Sequence, residues 1–162
     1  MDTRVRPATN KIVKALFDII RNYELNGNLF LDLFSGTGRI CFEAEKENFE
    51  VIGTEINKKQ YNLILKKIKE KNSKIKIVNM DAIKFLEYND KKFDIIYIDP
   101  PYKRIDLYLK SLEEIKKKKL LNKEGLLIIE KSKYEKFEKK LNCKIYKKYS
   151  YGDTELLLIK EI

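Results

Sequence analysis

The run from Phe93 to Ile98, followed by Asp99-Pro100-Pro101-Tyr102, constrains this chain more than any other segment. Phe93-Asp94-Ile95-Ile96-Tyr97-Ile98 is almost wholly apolar or aromatic and reads as a buried strand. It stops at an acid and two prolines, neither of which can donate to a ladder, so a stiff loop must follow. In an open α/β sheet that loop lies at the carboxyl edge, where ligands bind. It would present one carboxylate, two carbonyls and one aromatic face. That set suits attack by a planar exocyclic amine: the carboxylate and a carbonyl accept its two N–H bonds, and Tyr102 stacks on the base. The plainer alternative is a proline-rich turn in which Asp99 caps something local.

The rest of the chain supplies the sheet this loop needs. Ile12, Val13, Leu16, Phe17, Ile20 and Tyr23 share one helical face behind a Thr9 or Asn10 cap. Strand patterns follow at 29–33, 51–55, 75–78, 93–98 and 125–130, with helical patterns at 39–46, 58–71, 82–86 and 107–120 between them. In the 58–71 helix, Tyr61, Ile64, Leu65 and Ile68 are expected to face inward. A lysine-rich helix is expected after residue 130, then strands at 144–150 and 154–160. Only Tyr151-Gly152-Asp153 separates those two strands, so they must pair as a hairpin. The expected fold is α/β, a doubly wound sheet of seven strands closed by an antiparallel hairpin. One domain is expected, with an N-terminal segment and helix over 1–25 and the sheet over 26–162.

Asp32-Leu33-Phe34-Ser35-Gly36-Thr37-Gly38 ends the first strand and opens a helix. Gly36 and Gly38 let backbone approach a ligand, and the helix start offers free N–H groups. A dinucleotide fingerprint would place a third glycine where Cys41 stands. Asp32 would repel a pyrophosphate and suits a cationic ammonium better. Glu55 closes the second strand, where a carboxylate can accept both hydroxyls of a ribose. Asp81 follows the third and could accept an adenine amine beside the Ala82 N–H. Each acid alone also fits a helix cap or a solvated loop. Acids at the ends of three successive strands fit one site better.

The bulk numbers narrow the class. There are 162 residues, 43% hydrophobic and 37% charged, enough for a buried core in a folded chain. No apolar run approaches a membrane span, and Cys41 and Cys143 lack metal-type spacing. A cytoplasmic protein with packing cysteines is expected, Cys143 lying in a strand. The sequence contains no histidine, which excludes serine–histidine hydrolysis and histidine-ligated metals. A net charge of +10 favours a polyanionic partner, although lysine is abundant throughout and Lys116 to Lys119 also fit a solvated helix end.

These motifs together resemble a class I S-adenosylmethionine-dependent methyltransferase, specifically the RsmD-like 16S rRNA guanine-N2 methyltransferases. The resemblance runs along the whole chain. Arg6-Pro7-Ala8-Thr9-Asn10 is similar to that family's entry to its first helix, Asp32 to Gly38 to its cofactor loop, and Asp99 to Tyr102 to its catalytic loop. Tyr151-Gly152-Asp153-Thr154 with Leu156-Leu157-Leu158 resembles its closing hairpin. Asn10 stands where the family usually has Asp, and only Met1 to Val5 precede Arg6.

The resemblance implies a Rossmann-like fold and methyl transfer from S-adenosylmethionine, without metal, to the exocyclic N2 of a guanine. Asp32, Phe34, Ser35, Gly36, Thr37, Gly38, Glu55, Asp81 and Ala82 would hold the cofactor. Asp99, Pro100, Pro101 and Tyr102 would be catalytic, and Arg6, Tyr102, Lys103 and Arg104 would meet the substrate. The implied partner is ribosomal RNA or the assembling small subunit, bound by a monomer with no membrane role. The rival readings are an adenine-N6 DNA methyltransferase and a non-catalytic basic RNA-binding domain. A nicotinamide oxidoreductase is opposed by Cys41 and Asp32.

Overall fold

The computed structural model describes residues 9–162. Helix α1 (Asn10–Ile20) starts where the Thr9 hydroxyl accepts the Ile12 N–H, and it buries Ile12, Val13, Leu16, Phe17, Ile19 and Ile20. Strand β1 (Leu29–Asp32) follows, then α2 (Arg39–Lys46), β2 (Glu50–Thr54), α3 (Lys58–Glu70), β3 (Lys76–Val78) and α4 (Ala82–Tyr88). Next come β4 (Phe93–Ile98), α5 (Ile105–Lys118), β5 (Leu121–Ser132), β6 (Lys147–Tyr151) and β7 (Thr154–Ile159). The seven strands form one sheet in the order β3-β2-β1-β4-β5-β7-β6. The first five are parallel; β7 runs antiparallel to β5, and β6 antiparallel to β7.

Alternation along the strands divides the apolar side chains between two faces. Phe30, Ile95, Tyr97, Ile128 and Leu158 join Leu16 and Phe17 of α1, with Ile40 and Ile64, on one face. Leu31, Ile96, Ile98, Ile129 and Leu157 join Leu86 of α4 with Leu112 and Ile115 of α5 on the other. Each fully buried Leu or Ile contributes about 1.5–3 kcal/mol. Covering both faces explains why the central strands read as unbroken apolar runs. Among the described residues, no helix is long and apolar enough to cross a membrane.

Four expectations need correction. The lysine-rich segment after β5 forms only a single 3-10 turn at Glu138–Lys140. Its apolar anchors, Phe137 and Leu141, are too few to stabilise a helix of that length, and Glu135 is drawn off to bind backbone elsewhere. Strand β5 begins at Leu121, because Phe93 pairs with Leu121 before a register shift. Strand β6 begins only at Lys147, which leaves Cys143 in the preceding connection. In α3, Ile64 is buried and Ile68 packs partly buried against the core, but Leu65 is 38% exposed, since three short strands offer that helix a narrow seat.

Candidate active site

The strand order reverses direction between β1 and β4, the switch point at which an open α/β sheet leaves a crevice. Asp32 lies opposite Tyr97 in the β1–β4 ladder, and Asp99 follows two residues beyond Tyr97. Along the carboxyl edge the strands therefore deliver Asp81, Glu55, Asp32, Asp99 and Glu130 in spatial order. Neighbouring strands stand about 4.8 Å apart, which makes this a continuous acidic shelf. It belongs to a chain whose net charge is +10.

The loop after β1 is held from inside. The Leu33 N–H donates to the Tyr97 carbonyl at 3.1 Å, and the Ser35 N–H to the Thr54 carbonyl at 2.9 Å. The Ser35 hydroxyl is buried and donates to the Asp32 carbonyl at 3.0 Å, so it shapes the loop and faces away from a ligand. Phe34 is half-buried against the α4–α5 face, and the Thr37 carbonyl accepts from the Lys67 ammonium at 3.4 Å. Gly38 has φ +81°, and a Cβ there would stand 3.1 Å from Ile64, so only glycine fits without strain. The Gly36 N–H points across the crevice to Glu55 Oε2 at 2.7 Å, while the Asn57 N–H donates to Glu55 Oε1 at 3.0 Å.

Asp32 is buried, and its two oxygens differ. The Cys41 thiol donates to Oδ2 at 3.3 Å, whereas Oδ1 has no hydrogen-bond partner among the described residues. Burial, with a smaller contribution from the Glu55 charge, pushes its carboxyl up to about 7 against the opposing Cys41 and Phe34 donors. Asp99 is half-buried, with its carboxyl deep enough that burial lifts it to about 8, helped by the charges of Asp32 and Glu135. Among the described residues no donor reaches the Asp99 carboxylate. Glu130 accepts the Tyr97 hydroxyl, and burial followed by the Asp32 charge raises it to about 7. Burial also raises Glu55. An acidic crevice with an orphaned buried oxygen is short of positive charge, so a cationic ligand would satisfy it.

The other expected residues fall into place unevenly. Pro100 is buried, and the Pro101 carbonyl accepts the Arg104 N–H at 3.1 Å, closing the turn after β4. Tyr102 is 53% exposed at the mouth, with the Lys103 ammonium 5.7 Å from its ring centre. The Arg104 guanidinium is engaged by both carboxylate oxygens of Asp106 at 2.9 Å, a pair that a phosphate would have to displace. Asp81 caps α4 by accepting the Lys84 N–H at 3.0 Å, and Ala82 is buried behind it. Arg6 lies outside the described residues.

Four groups escaped the sequence reading. Glu130 lies among the last paired residues of β5 and Glu135 beyond its end, where nothing local distinguishes a buried acid from a solvated one. Ile56 is 67% exposed beside Glu55, a large apolar side chain left outside both cores. Its signal was available: an apolar residue directly after a strand-ending acid. Gly53 was legible as a glycine inside a strand, since a Cβ there would stand 2.4 Å from the Ser35 hydroxyl.

Comparison with known proteins bears on the family and the fold. The family model described as "Conserved hypothetical protein 95" matches residues 1–160. Ribosomal RNA small subunit methyltransferase D of Buchnera aphidicola (subsp. Acyrthosiphon pisum) is 33% identical over 148 residues, covering 89% of this chain and 76% of that protein. A solved structure of the putative methyltransferase yhhF from Escherichia coli superposes with a TM-score of 0.80 at 20% identity, covering 96% of this chain and 88% of that one. The Thermus thermophilus 16S rRNA N2 G1207 methyltransferase RsmC, solved with AdoMet and guanosine, also gives 0.80 at 20% identity, covering 99% of this chain and 44% of its own. The fold is that of the class I methyltransferases, and the chain belongs to the RsmD-like family of methyltransferases.

Proposed function

We propose that this protein transfers a methyl group from S-adenosylmethionine to the exocyclic N2 of a guanine in small-subunit (16S) ribosomal RNA. The observation that carries the reading is the placing of Asp32 and Asp99 at the carboxyl ends of the neighbouring strands β1 and β4, where the Asp32 charge adds to the burial that keeps Asp99 from ionising without a cation nearby. S-adenosylmethionine when bound supplies an electrophilic methyl on a sulfonium, with a cationic ammonium on its amino-acid part. The naming of the Buchnera relative as a small-subunit rRNA methyltransferase supports the RNA substrate.

Asp32 and the Phe34 to Gly38 loop would hold the cofactor's amino-acid part, with the orphaned Asp32 Oδ1 as an acceptor. Glu55 would accept the ribose hydroxyls through lone pairs left free by Gly36 and Asn57. Asp81 and Ala82 would meet the adenine edge, and exposed Ile56 its face. On the substrate side, Asp99 and the Pro100 carbonyl would accept the two N2 hydrogens. That frees the nitrogen lone pair as the centre pyramidalises and stabilises the developing positive charge. The proton that N2 gives up on methylation would pass to the Asp99 carboxylate. Asp99's upward shift keeps it near neutral working pH, as such a role requires. Holding the reacting atoms in line supplies much of the remaining acceleration. A paired guanine cannot reach this crevice, so the base would be flipped and held against Tyr102. Lys103, Arg104 and Arg6 would contact phosphates.

The partner is naked rRNA or an assembling small subunit, bound by a monomer in the cytoplasm. The test is incubation with labelled S-adenosylmethionine and unmodified small-subunit particles, followed by mapping of the modified nucleotide. Label on N2 of one guanine is expected. Label in an adenine, or in DNA, would overturn the substrate assignment.

A further inference from the structure

Beyond Tyr102, the mouth of the crevice carries a second exposed aromatic side chain that the reaction as described does not use. Tyr134 is 65% exposed, just past the end of β5. Strand β5 is the direct parallel neighbour of β4, so the loops bearing Tyr102 and Tyr134 emerge side by side. They are also joined. Glu135, itself buried, accepts the Lys103 N–H on Oε1 at 2.9 Å and the Ser132 N–H on Oε2 at 3.3 Å. The residue after each tyrosine is therefore one partner of the hydrogen bond between the loops.

Tyr134 is presented by a rigid turn. Its N–H donates to the Ser132 hydroxyl at 3.2 Å, the Lys133 N–H to the Asp153 carbonyl at 2.8 Å, and the Glu135 N–H to the Ser132 carbonyl at 3.1 Å. Each ring also has its own lysine: Lys103 lies 5.7 Å from the centre of Tyr102 and Lys133 5.0 Å from that of Tyr134. Lys133 pairs with Asp153 at 3.0 Å, and the Tyr134 hydroxyl reaches the same carboxylate at 3.4 Å. Both members of that ion pair are well exposed, so it contributes little and a phosphate can compete for the lysine. Two aromatic–basic pairs on neighbouring loops tied by a hydrogen bond offer what a single strand presents in turn, bases that stack and phosphates that alternate with them.

We propose that Tyr134 and Lys133 form a second nucleotide subsite, in which the RNA base adjoining the flipped target stacks on Tyr134 while Lys133 meets its phosphate. This rests on the RNA reading above and deepens it: the protein recognises at least a dinucleotide opened out of its helix. Asp153 would release Lys133 when the strand arrives.

The test uses single-stranded oligonucleotides carrying 2-aminopurine on the 5′ or the 3′ side of a central guanine, together with methyl-transfer kinetics on unmodified small-subunit particles. With wild-type protein, one of the two flanking probes should be quenched by stacking. Tyr134→Ala should abolish that quench and raise KM for RNA about tenfold or more, leaving S-adenosylmethionine affinity unchanged. Tyr134→Phe should retain the quench, because the ring rather than the hydroxyl does the stacking. Equal quenching by wild type and Tyr134→Ala, or no quenching of either probe by wild type, overturns the subsite. Failure to methylate any guanine would instead remove the function proposed above, while the fluorescence measurement still decides the subsite.

Discussion

Asp99 and Asp32 stand at the ends of neighbouring parallel strands, and the charge of Asp32 helps hold a proton on Asp99 up to a pH of about 8. Among the described residues, neither carboxylate meets a basic side chain. A crevice built this way is strained against ionisation until a cation enters.

Asp99→Asn should therefore do two opposite things. In the folded chain Asp99 is raised from 3.8 to about 8, so between those pH values the folded state binds more protons than the unfolded state. Stability contributed by this group falls as pH rises through that window. Replacing it with a neutral amide should raise the Tm of the cofactor-free protein at pH near 8 by roughly 3 °C or more, and flatten its pH dependence. The same variant should lose turnover by about 10³-fold, with cofactor binding retained. Thermal scans at several pH values, paired with a radiolabel assay, check both halves; a fully active variant would remove Asp99 from the chemistry.

Cofactor affinity should climb with pH. Asp32, at about 7, and Asp99, at about 8, are substantially protonated near neutrality, and a cation favours their ionised forms. The Kd for S-adenosylmethionine should fall between roughly pH 6 and about 8.5, and binding should release protons. Calorimetry in two buffers of different ionisation heat measures that release directly. A pH-independent Kd with no proton release would contradict the acidic crevice as the cation's seat.

Glu55→Ala should weaken cofactor binding about 10- to 100-fold, because it removes charge-assisted acceptors at the ribose position and leaves the Gly36 N–H without its partner. At saturating cofactor, kcat should change little. Unchanged calorimetric binding would count against the ribose role.

Glu135 separates positioning from charge. Its charge helps raise Asp99, so Glu135→Gln should move the acid limb of the pH–rate profile to lower pH while keeping one acceptor for the loop. Glu135→Ala should also free the Lys103 and Ser132 amides and lower kcat, with cofactor Kd unaffected. Identical pH profiles for wild type and Glu135→Gln would show that its charge does not reach the reaction.

Gly38→Ala should cost about 1–3 kcal/mol of stability, since φ is +81° and the added methyl presses on Ile64. Urea denaturation reports it as a lowered midpoint at constant slope. A variant as stable as wild type would mean that the loop relaxes freely.

Local pattern was enough to read the alternating strands and helices, the terminal hairpin and the loops bearing Asp32, Glu55, Asp81 and Asp99. Each depends on periodicity, on proline and glycine, or on an acid at a strand end, all of which act within a few residues. Other features exist only in three dimensions. Asp32 and Asp99 become neighbours because β1 and β4 pair across two intervening strand–helix units, and periodicity says which face a side chain takes but not which strand lies beside it. Glu130, Glu135 and the Cys41–Asp32 contact gain their roles from desolvation, which depends on all the atoms packed around a group. The segment after β5 carries helix-forming lysines, yet the needs of the Lys103 and Ser132 amides, met by Glu135, outweigh that local preference.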